Sequence, residues 1–362
     1  MFCYSLALHY LCIVMADYMN ISAFLIGVTT AFFGIFALHI LFWRKTRTRF
    51  QTILGCVMAI WAVWNVKDLV MTFPGMYTQE VLDWILLIDG WSALTFTVLL
   101  FEIVMPCWLT LRRIFLLALP FALFTVLYGV WPDQRVLYAD LVFLCCYAIT
   151  VITIGYVKMK RYLIYVRKNY SNIDNIDVAW LKPVFFFAIV SQLTWLFTSL
   201  SGTVMADITY YVSAILLWMM VLHYSWNFRP IVVDKAVEAV EAESAINNKN
   251  MLPIAEGTLE KLVEQQKLYL KKDLTLSDLA AALNSNRTYV SKYLSQVLGQ
   301  TFYDYINQLR IERVSIPMMR EHPEYKLDYV AQESGFASIS TFRRAFFKMT
   351  GQTPSQFEAA EL

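Results

Sequence analysis

The sequence predicts an all-α protein with two parts, a seven-helix transmembrane bundle and a smaller helical domain at the C-terminal end. Composition predicts the first part: 58% of the 362 residues are hydrophobic and only 16% are charged, whereas soluble domains carry about 25% charged residues. An abrupt change to a polar helical pattern after Trp226 predicts the second part. The chain therefore divides near this residue.

Seven apolar runs are long enough to cross a bilayer as helices of about 20 residues. They cover about 21–43, 51–73, 81–104, 113–131, 136–157, 180–204 and 207–226, which together make up a bundle at 21–226. The first stretch of the chain, MFCYSLALHYLCIVMA, is also apolar but shorter, and it lacks the basic n-region of a signal peptide. We interpret residues 1–20 as an N-terminal tail, or as the product of a start codon assigned too early, rather than as an eighth span.

The loops between these runs differ in charge. RKTRTR after the first run, LRR after the third and KMKRYLIYVRK after the fifth hold eleven Lys or Arg residues, whereas the opposite loops and the N-terminus hold one, Arg135. Because basic loops stay in the cytoplasm, we expect a multi-pass protein of the bacterial inner membrane. Its N-terminus would lie outside and its C-terminal domain in the cytoplasm.

The inventory of reactive side chains argues against an enzyme. The six cysteines lie in or beside apolar runs without metal-ligand spacing, so we expect packing roles rather than disulfides. The sequence has no glycine-rich phosphate loop and no paired acid motif, and its four histidines are scattered. A retinal photoreceptor would need a lysine in the last run, which has none. We therefore expect no catalytic residues, no cofactor and no metal.

Residues 227–257 form the predicted cytosolic linker. Pro230 cannot continue the last apolar helix, and VVDKAVEAVEAESAINNKN then predicts a short charged helix with an Asn-rich end. Val233, Val237 and Val240 could form a brief homodimer seam. The run is under two heptads, so a solvated connecting helix is the other interpretation.

The C-terminal part, residues 258–362, repeats itself. LSDLAAALNSNRTYVSKYLSQVLGQT aligns with LDYVAQESGFASISTFRRAFFKMTGQT, with Val290 on Phe342 and Leu294 on Phe346. Each unit predicts a short helix, a turn and a second helix whose far face carries basic and hydroxyl groups, which is the helix-turn-helix layout. The fold class is therefore all-α throughout, with a tandem helix-turn-helix domain after the bundle.

The second unit carries clear local signals. Gly335 supplies the tight turn, Ser338 can cap the second helix, and Phe342 and Phe346 anchor that helix to the core at i, i+4 spacing.

Positive charge is concentrated on the second helix of each unit. The basic residues there are Arg287, Lys292, Arg343, Arg344 and Lys348, and neither helix contains an acidic residue. The phosphate groups of DNA attract cationic side chains that are clustered in this way, so the pattern predicts double-stranded DNA as the partner.

Residues 258–360 resemble the DNA-binding domain of AraC/XylS-type transcription regulators. The resemblance is carried by GF, the Ser-rich cap, F-R-R-A-F and TG-Q-T-P-S-Q-F in the second unit. It implies seven helices, with two helix-turn-helix subdomains joined by a long helix at about 301–319, and recognition helices that enter successive major grooves of promoter DNA. The implied groove-facing residues are Thr288, Ser291, Lys292, Ile339, Ser340, Arg343 and Arg344. Pro317 departs from the family pattern, so we expect a kink or an early stop in the linking helix.

These features together predict a one-component transcription regulator, in which the bundle detects an unknown signal ligand and alters a cytosolic domain that binds promoter DNA. One alternative is that the bundle is a passive anchor in the lipid bilayer. Another is a transporter-like bundle with an accessory tail, although a solute pathway usually needs broken spans rich in Gly or Pro. Most runs here are uninterrupted.

Charged residues inside apolar runs are costly and are therefore functional candidates. Lys67 and Asp68 lie in the second run and Asp89 in the third. At 1.5 Å per residue Lys67 and Asp89 lie about 9 and 12 Å from the outer ends, so they can meet. One interpretation is an interfacial snorkelling pair with an aromatic belt. The other is a Lys67–Asp89 pair at the base of a small-molecule site, with tryptophans around it: Trp61, Trp64, Trp84 and Trp91.

Overall fold

A computed structural model describes residues 21–68, 78–201, 204–231 and 257–361. Every regular element in these ranges is a helix, which confirms the all-α prediction. The described residues divide into two units: unit 1 contains those of 1–159 and 178–232, and unit 2 contains those of 160–177 and 233–362. The predicted N-terminal tail at 1–20 and the valines Val233, Val237 and Val240 lie outside the described residues.

Unit 1 is built from seven long apolar helices, as predicted, and the last ten residues of the fifth helix belong to unit 2. The seven helices are α1 (Ile21–Trp43), α2 (Arg49–Asp68), α3 (Gln79–Val104), α4 (Leu111–Val130), α5 (Gln134–Asn169), α6 (Leu181–Ser201) and α7 (Val204–Ser225). Each of the seven contains a stretch long and apolar enough to cross a membrane. The third is interrupted at Trp91, between the segments Gln79–Gly90 and Ser92–Val104.

The helix α5 is longer than the sequence predicted. We expected it to end near residue 157 and a basic loop to follow, but the helix continues through that loop to Asn169. Its 36 residues extend over about 54 Å, against about 30 Å for the hydrocarbon core of a bilayer. The charged end is helical because Tyr162 and Val166, one turn apart, are both buried and give it an apolar face.

The interior of unit 1 contains a cluster of aromatic rings. Trp218 lies 5.3 Å from Trp61, 5.1 Å from Phe96 and 5.8 Å from Phe33, measured between ring centroids. The indole of Trp61 donates a hydrogen bond to Thr95 Oγ1 at 2.9 Å. These contacts join α1, α2, α3 and α7 around one centre.

Within the described residues 257–361, the C-terminal part of unit 2 contains a short 3-10 turn at Leu268–Leu270 and seven helices. They are α8 (Thr258–Gln265), α9 (Leu276–Ala282), α10 (Arg287–Lys292), α11 (Phe302–Arg310, extended by Ile311–Ser315 and Ile316–Glu321), α12 (Leu327–Glu333), α13 (Ile339–Thr350) and α14 (Pro354–Glu361). Helices α9 and α10 form one helix pair and α12 and α13 another. The long helix α11 joins them in sequence.

The expected stop at Pro317 does not occur, because α11 continues past it to Glu321. The irregularity lies just before the proline, where Ile311–Ser315 forms a π-helical turn. Widening the helix by one residue per turn absorbs the missing amide donor of a proline. The Ser315 hydroxyl donates to the Arg310 carbonyl at 3.1 Å across this turn.

Each helix pair has its own hydrophobic core. Val290 of α10 and Leu294 of the π-helical turn that follows it (Tyr293–Val297) lie in one core. Phe342 and Phe346 of α13 lie in the other, as the alignment of the repeat predicts. Gly335, in the turn between α12 and α13, has φ 85°. A Cβ atom there would lie 2.9 Å from the Tyr269 and Leu270 carbonyl oxygens, so both the conformation and the close approach require glycine.

Candidate nucleic-acid interface

Residues within and next to α13 determine where this helix begins and ends and which of its faces is polar. Ser338 caps it by accepting a hydrogen bond from the Thr341 amide at 3.2 Å, and Gly351 ends it with φ 75°. Phe342 and Phe346 are fully buried on the opposite face. Ser340 and Arg343 consequently face outwards and are exposed, while Ile339 is half-buried.

The helix α10 is built in the same way. The Asn286 side chain caps it by accepting from the Thr288 amide at 2.6 Å, and the buried Val290 anchors it. Lys292 is exposed and Thr288 and Ser291 are half-buried. Both helices thus offer cationic and hydroxyl groups on the face away from their core, the arrangement that the sequence predicted for two recognition helices.

The segment 169–177, NYSNIDNID, lies against both helices. We call it the acidic segment, because Asp174 and Asp177 supply its two charges. The hydroxyl of Thr341 donates to Asp174 Oδ1. The guanidinium of Arg344 lies 3.8 Å from Asp174 Oδ1 and 3.6 Å from Asp177 Oδ2. At α10, Arg287 Nη2 donates to Asn169 Oδ1 at 2.6 Å.

Lys348 of α13 is paired differently. Its ammonium group lies 2.7 Å from Asp304 Oδ1, on α11. Three of the basic residues predicted to contact DNA, Arg287, Arg344 and Lys348, contact side chains of the chain itself. Arg344 and Lys348 are nevertheless exposed, as are Arg343 and Lys292.

Backbone contacts hold the acidic segment in place beside α9. Tyr170 and Thr275 form an isolated antiparallel bridge. The Ser171 amide donates to the Leu274 carbonyl at 3.1 Å, and its hydroxyl donates to the same oxygen at 2.8 Å. Asn172 Nδ2 donates to Asp273 Oδ1 at 2.9 Å. Ser171 is completely buried as a result.

Arg310 of α11 occupies the interior of unit 2. Only 1% of its surface is exposed. Its guanidinium donates to the Tyr269 carbonyl at 2.7 Å, to the Lys271 carbonyl at 2.8 Å and to Asn307 Oδ1 at 3.1 Å. Burial lowers the pKa of Arg310 to about 10, so the group stays cationic near neutral pH.

A capping box begins α9, where Thr275 and Asp278 exchange hydrogen bonds between side chain and backbone. Partial burial raises the pKa of Asp278, but hydrogen bonds from the Thr275 backbone and the Lys271 ammonium outweigh this effect and hold the pKa below its usual value.

Unit 1 contains the second group of predicted site residues. The Lys67 ammonium lies 2.6 Å from Asp89 Oδ1, so the predicted contact between α2 and α3 is present, whereas a role in sensing stays a prediction. Lys67 also pairs with Asp68, and Asp68 Oδ2 accepts from the Tyr211 hydroxyl at 3.0 Å. One ammonium group thus faces two carboxylates, and the Tyr211 hydroxyl is a further partner of Asp68. Buried charges need partners of this kind.

A cavity of about 110 Å³ lies beside this cluster. Its walls are mostly apolar, and Asp89, Trp61, Trp195, Gln192 and Tyr210 are among the residues that line it.

Three of the four tryptophans predicted around this site, Trp64, Trp84 and Trp91, are not among the residues that line the cavity. Trp84 packs on Tyr128 of α4 instead, with 5.4 Å between the ring centroids. Trp91 turns towards α4, where its indole donates to Thr125 Oγ1 at 3.1 Å and packs on Phe121. Trp64 lies about 4.5 Å farther along α2 than Trp61. Of the four predicted tryptophans, Trp61 lines the cavity, and a role of any of them in sensing stays a prediction.

The acidic segment and Arg310 were missed at the sequence level. The signal for the first was the pair of aspartates three residues apart, directly after a loop rich in Lys and Arg. Arg310 gave no signal, because one arginine in a polar helix is usually exposed.

Comparison with known proteins supports the interpretation of the C-terminal part. Residues 279–360 match a family model described as a helix-turn-helix domain. The chain is 26% identical over 127 residues to an uncharacterized HTH-type transcriptional regulator of Staphylococcus aureus strain COL, covering 35% of this chain and 17% of that protein. It is 32% identical over 99 residues to the TCP pilus virulence regulatory protein of Vibrio cholerae, covering 26% of this chain and 35% of that protein. The match thus spans between 17% and 35% of the length of these curated relatives. No solved structure matches.

Proposed function

We propose, on the premise that residues 279–360 form an AraC-type helix-turn-helix domain, that the chain is a membrane-bound, one-component transcription regulator. The domain binds promoter DNA through two recognition helices, α10 and α13. The observation that carries this proposal is their common design: each has a capped start, a buried apolar anchor and an outward basic face. The names of both similar proteins describe regulators.

The seven apolar helices support the location in a bilayer that this proposal assigns to the chain. Only 11% of the apolar stretch of α4 is buried within the protein, and large side chains such as Leu111 and Val130 are more than two-thirds exposed. Monomeric soluble proteins rarely expose apolar surface of this extent. The excess of Lys and Arg in alternate loops supports a bundle in the inner membrane of a bacterium, with the C-terminal domain on its cytoplasmic side.

DNA binding is tested with the full chain in lipid nanodiscs and a duplex enriched from a random-sequence pool. Lys292→Ala and Arg343→Ala remove exposed cations from the two recognition helices, so each should weaken binding by about 1–3 kcal/mol if the side chain reaches a base. Arg313→Ala is the control, because Arg313 is equally basic but lies on α11 and pairs with Glu264. Unchanged affinity and unchanged sequence preference in both test variants would exclude these helices as the DNA-reading elements.

The function of the bundle is the second part of the proposal. A compensated Lys67–Asp89 pair beside an apolar cavity supports a sensor of a small molecule rather than a passive anchor, because a lipid anchor needs no buried charges.

Lys67→Met and Asp89→Asn test this part in living cells. Both should uncouple promoter output from the inducing condition while membrane insertion stays normal. Asp133→Asn, a change of the same type in an exposed loop, is the control. A normal response in both test variants would leave the bundle as an anchor.

A further inference from the structure

One segment contacts both predicted recognition helices. The acidic segment receives hydrogen bonds from Arg287 of α10 and from Thr341 of α13, which follow their partners in the sequence by 118 and 167 residues. Its two carboxylates also lie within 4 Å of the Arg344 guanidinium. The acidic segment therefore contacts both of the helices that are proposed to bind one DNA duplex.

The contacts on Arg344 resemble those that DNA would make. A guanidinium binds carboxylate and phosphate oxygens with the same donors and in the same planar geometry. Asp174 and Asp177 approach different nitrogens of the group, Nη2 and Nη1. A phosphate or a base edge that binds these nitrogens competes with the two carboxylates for them, so the segment and DNA compete at Arg344.

The segment is docked by contacts that do not involve the recognition helices. Ser171 is completely buried and bonded through its amide and its hydroxyl to Leu274. Asn172 bonds to Asp273, and Tyr170 forms the bridge to Thr275. These contacts fix the backbone, and the two carboxylates, two and five residues after Asn172, are placed beside α13 as a consequence.

The acidic segment covers only part of the outward faces of α10 and α13. Arg343, Ser340 and Lys292 remain exposed beside the docked segment. DNA therefore keeps some cationic contacts, and docking should lower its affinity rather than abolish binding.

We propose that the acidic segment is an intramolecular competitor of DNA, which holds the recognition helices in a low-affinity form until it undocks. This inference rests on the proposed function, because the competing ligand is DNA. The segment begins where α5 ends, and α5 is one continuous helix from Gln134 to Asn169. A rotation or shift of α5 therefore reaches the segment without an intervening flexible linker.

The first test removes the two carboxylates. Full chains in nanodiscs are titrated with a duplex enriched from a random pool by the Asp174→Asn, Asp177→Asn double variant, at one fixed salt concentration. This variant should bind about 5- to 30-fold more tightly than the wild type, since partly exposed ion pairs and one charged hydrogen bond are lost from the competing state.

The matched control is the Glu264→Gln, Glu324→Gln double variant. It removes two negative charges that contact Arg313 and His322 rather than the recognition helices, so it reports the general effect of net charge. An equal gain in DNA affinity in both double variants would overturn the inference. Equal affinity in the wild type and the aspartate variant would overturn it too. Either result would leave the proposed DNA-binding function intact. If neither the wild type nor either double variant bound DNA, the proposed function itself would be contradicted.

The second test fixes the segment in its docked position. Asn172→Cys and Asp273→Cys replace two side chains that are 2.9 Å apart and lie outside both recognition helices, with the native cysteines changed to serine. Joining them with a short thiol crosslinker should weaken DNA binding, and a cleavable linker should restore it on reduction. DNA binding that is equally tight with and without the crosslink would refute competition, with the thermal unfolding curve showing that the fold is unchanged.

Discussion

Replacement of Arg310 by methionine should destabilise unit 2, because its guanidinium is the shared donor for a group of buried oxygens. Hydrogen bonds from a charged group contribute about 1.5–3 kcal/mol each, and two of those made by Arg310, to Tyr269 and Lys271, are short at 2.7 and 2.8 Å. Their loss would cost about 3–6 kcal/mol. Methionine carries no charge, so the free-energy cost of burying a cation disappears, and this offsets part of the lost stabilisation. We expect a net loss of about 2–4 kcal/mol.

Hydrogen–deuterium exchange of the full chain in nanodiscs measures this loss, because the slowest amides of a unit report its opening free energy. Protection should fall across the carbonyl-bearing stretch 269–272 and in the acidic segment, whose Ser171 hydroxyl oxygen also faces Arg310 at 3.4 Å. The seven apolar helices should exchange as before.

Arg313→Met is the control on the same helix. Arg313 is 57% exposed and pairs with Glu264, which is 45% exposed. Exposed ion pairs contribute about 0–1 kcal/mol, so this substitution should have a small effect. Equal changes in the two variants would refute the claim that Arg310 stabilises unit 2 through buried hydrogen bonds.

Three further outcomes can be measured. Phe342→Ala should destabilise unit 2 by about 3–5 kcal/mol, since its ring is fully buried; an unchanged melting curve would contradict this. Hydrogen bonds from the Thr275 backbone and the Lys271 ammonium hold the folded-state pKa of Asp278 below its usual value, so its stabilising contribution is present above the unfolded-state pKa and is lost as the pH falls through the folded-state pKa. Asp278→Asn should therefore be less stable than wild type at pH 7, and the two should converge in acid. A reporter fused after residue 235 should score as cytoplasmic and one fused at 74–80 as external; reversed signals would place the C-terminal domain away from DNA.

The helical framework could be predicted because its signals are local. A run of apolar residues predicts a helix in α4 without knowledge of its neighbours, and Ser338 caps α13 through an amide three residues away. The same holds for Gly335, whose positive φ is a property of one turn. The Lys67–Asp89 contact was also predictable, because depth in a short helical hairpin follows from counting residues.

The rest depends on how the helices rotate and dock. Trp91 was expected beside Lys67, but the break in α3 turns its indole to Thr125 of α4. Arg310 is buried because carbonyls about 40 residues earlier converge on it, and no pattern in the sequence links these positions. The same applies to Ser171 and Leu274, which are 103 residues apart.

The position of the acidic segment within the chain has a consequence for biosynthesis. Ser171 leaves the ribosome 103 residues before Leu274, its partner, which at about 5–20 residues per second is a delay of about 5–20 s. The docking surface is therefore completed only after translation has passed the last apolar helix. A recombinant fragment that starts at residue 257 contains every element of the helix-turn-helix domain but lacks Ser171 and both aspartates. Such a fragment should bind DNA more tightly than the intact protein, and its behaviour would describe the released form alone.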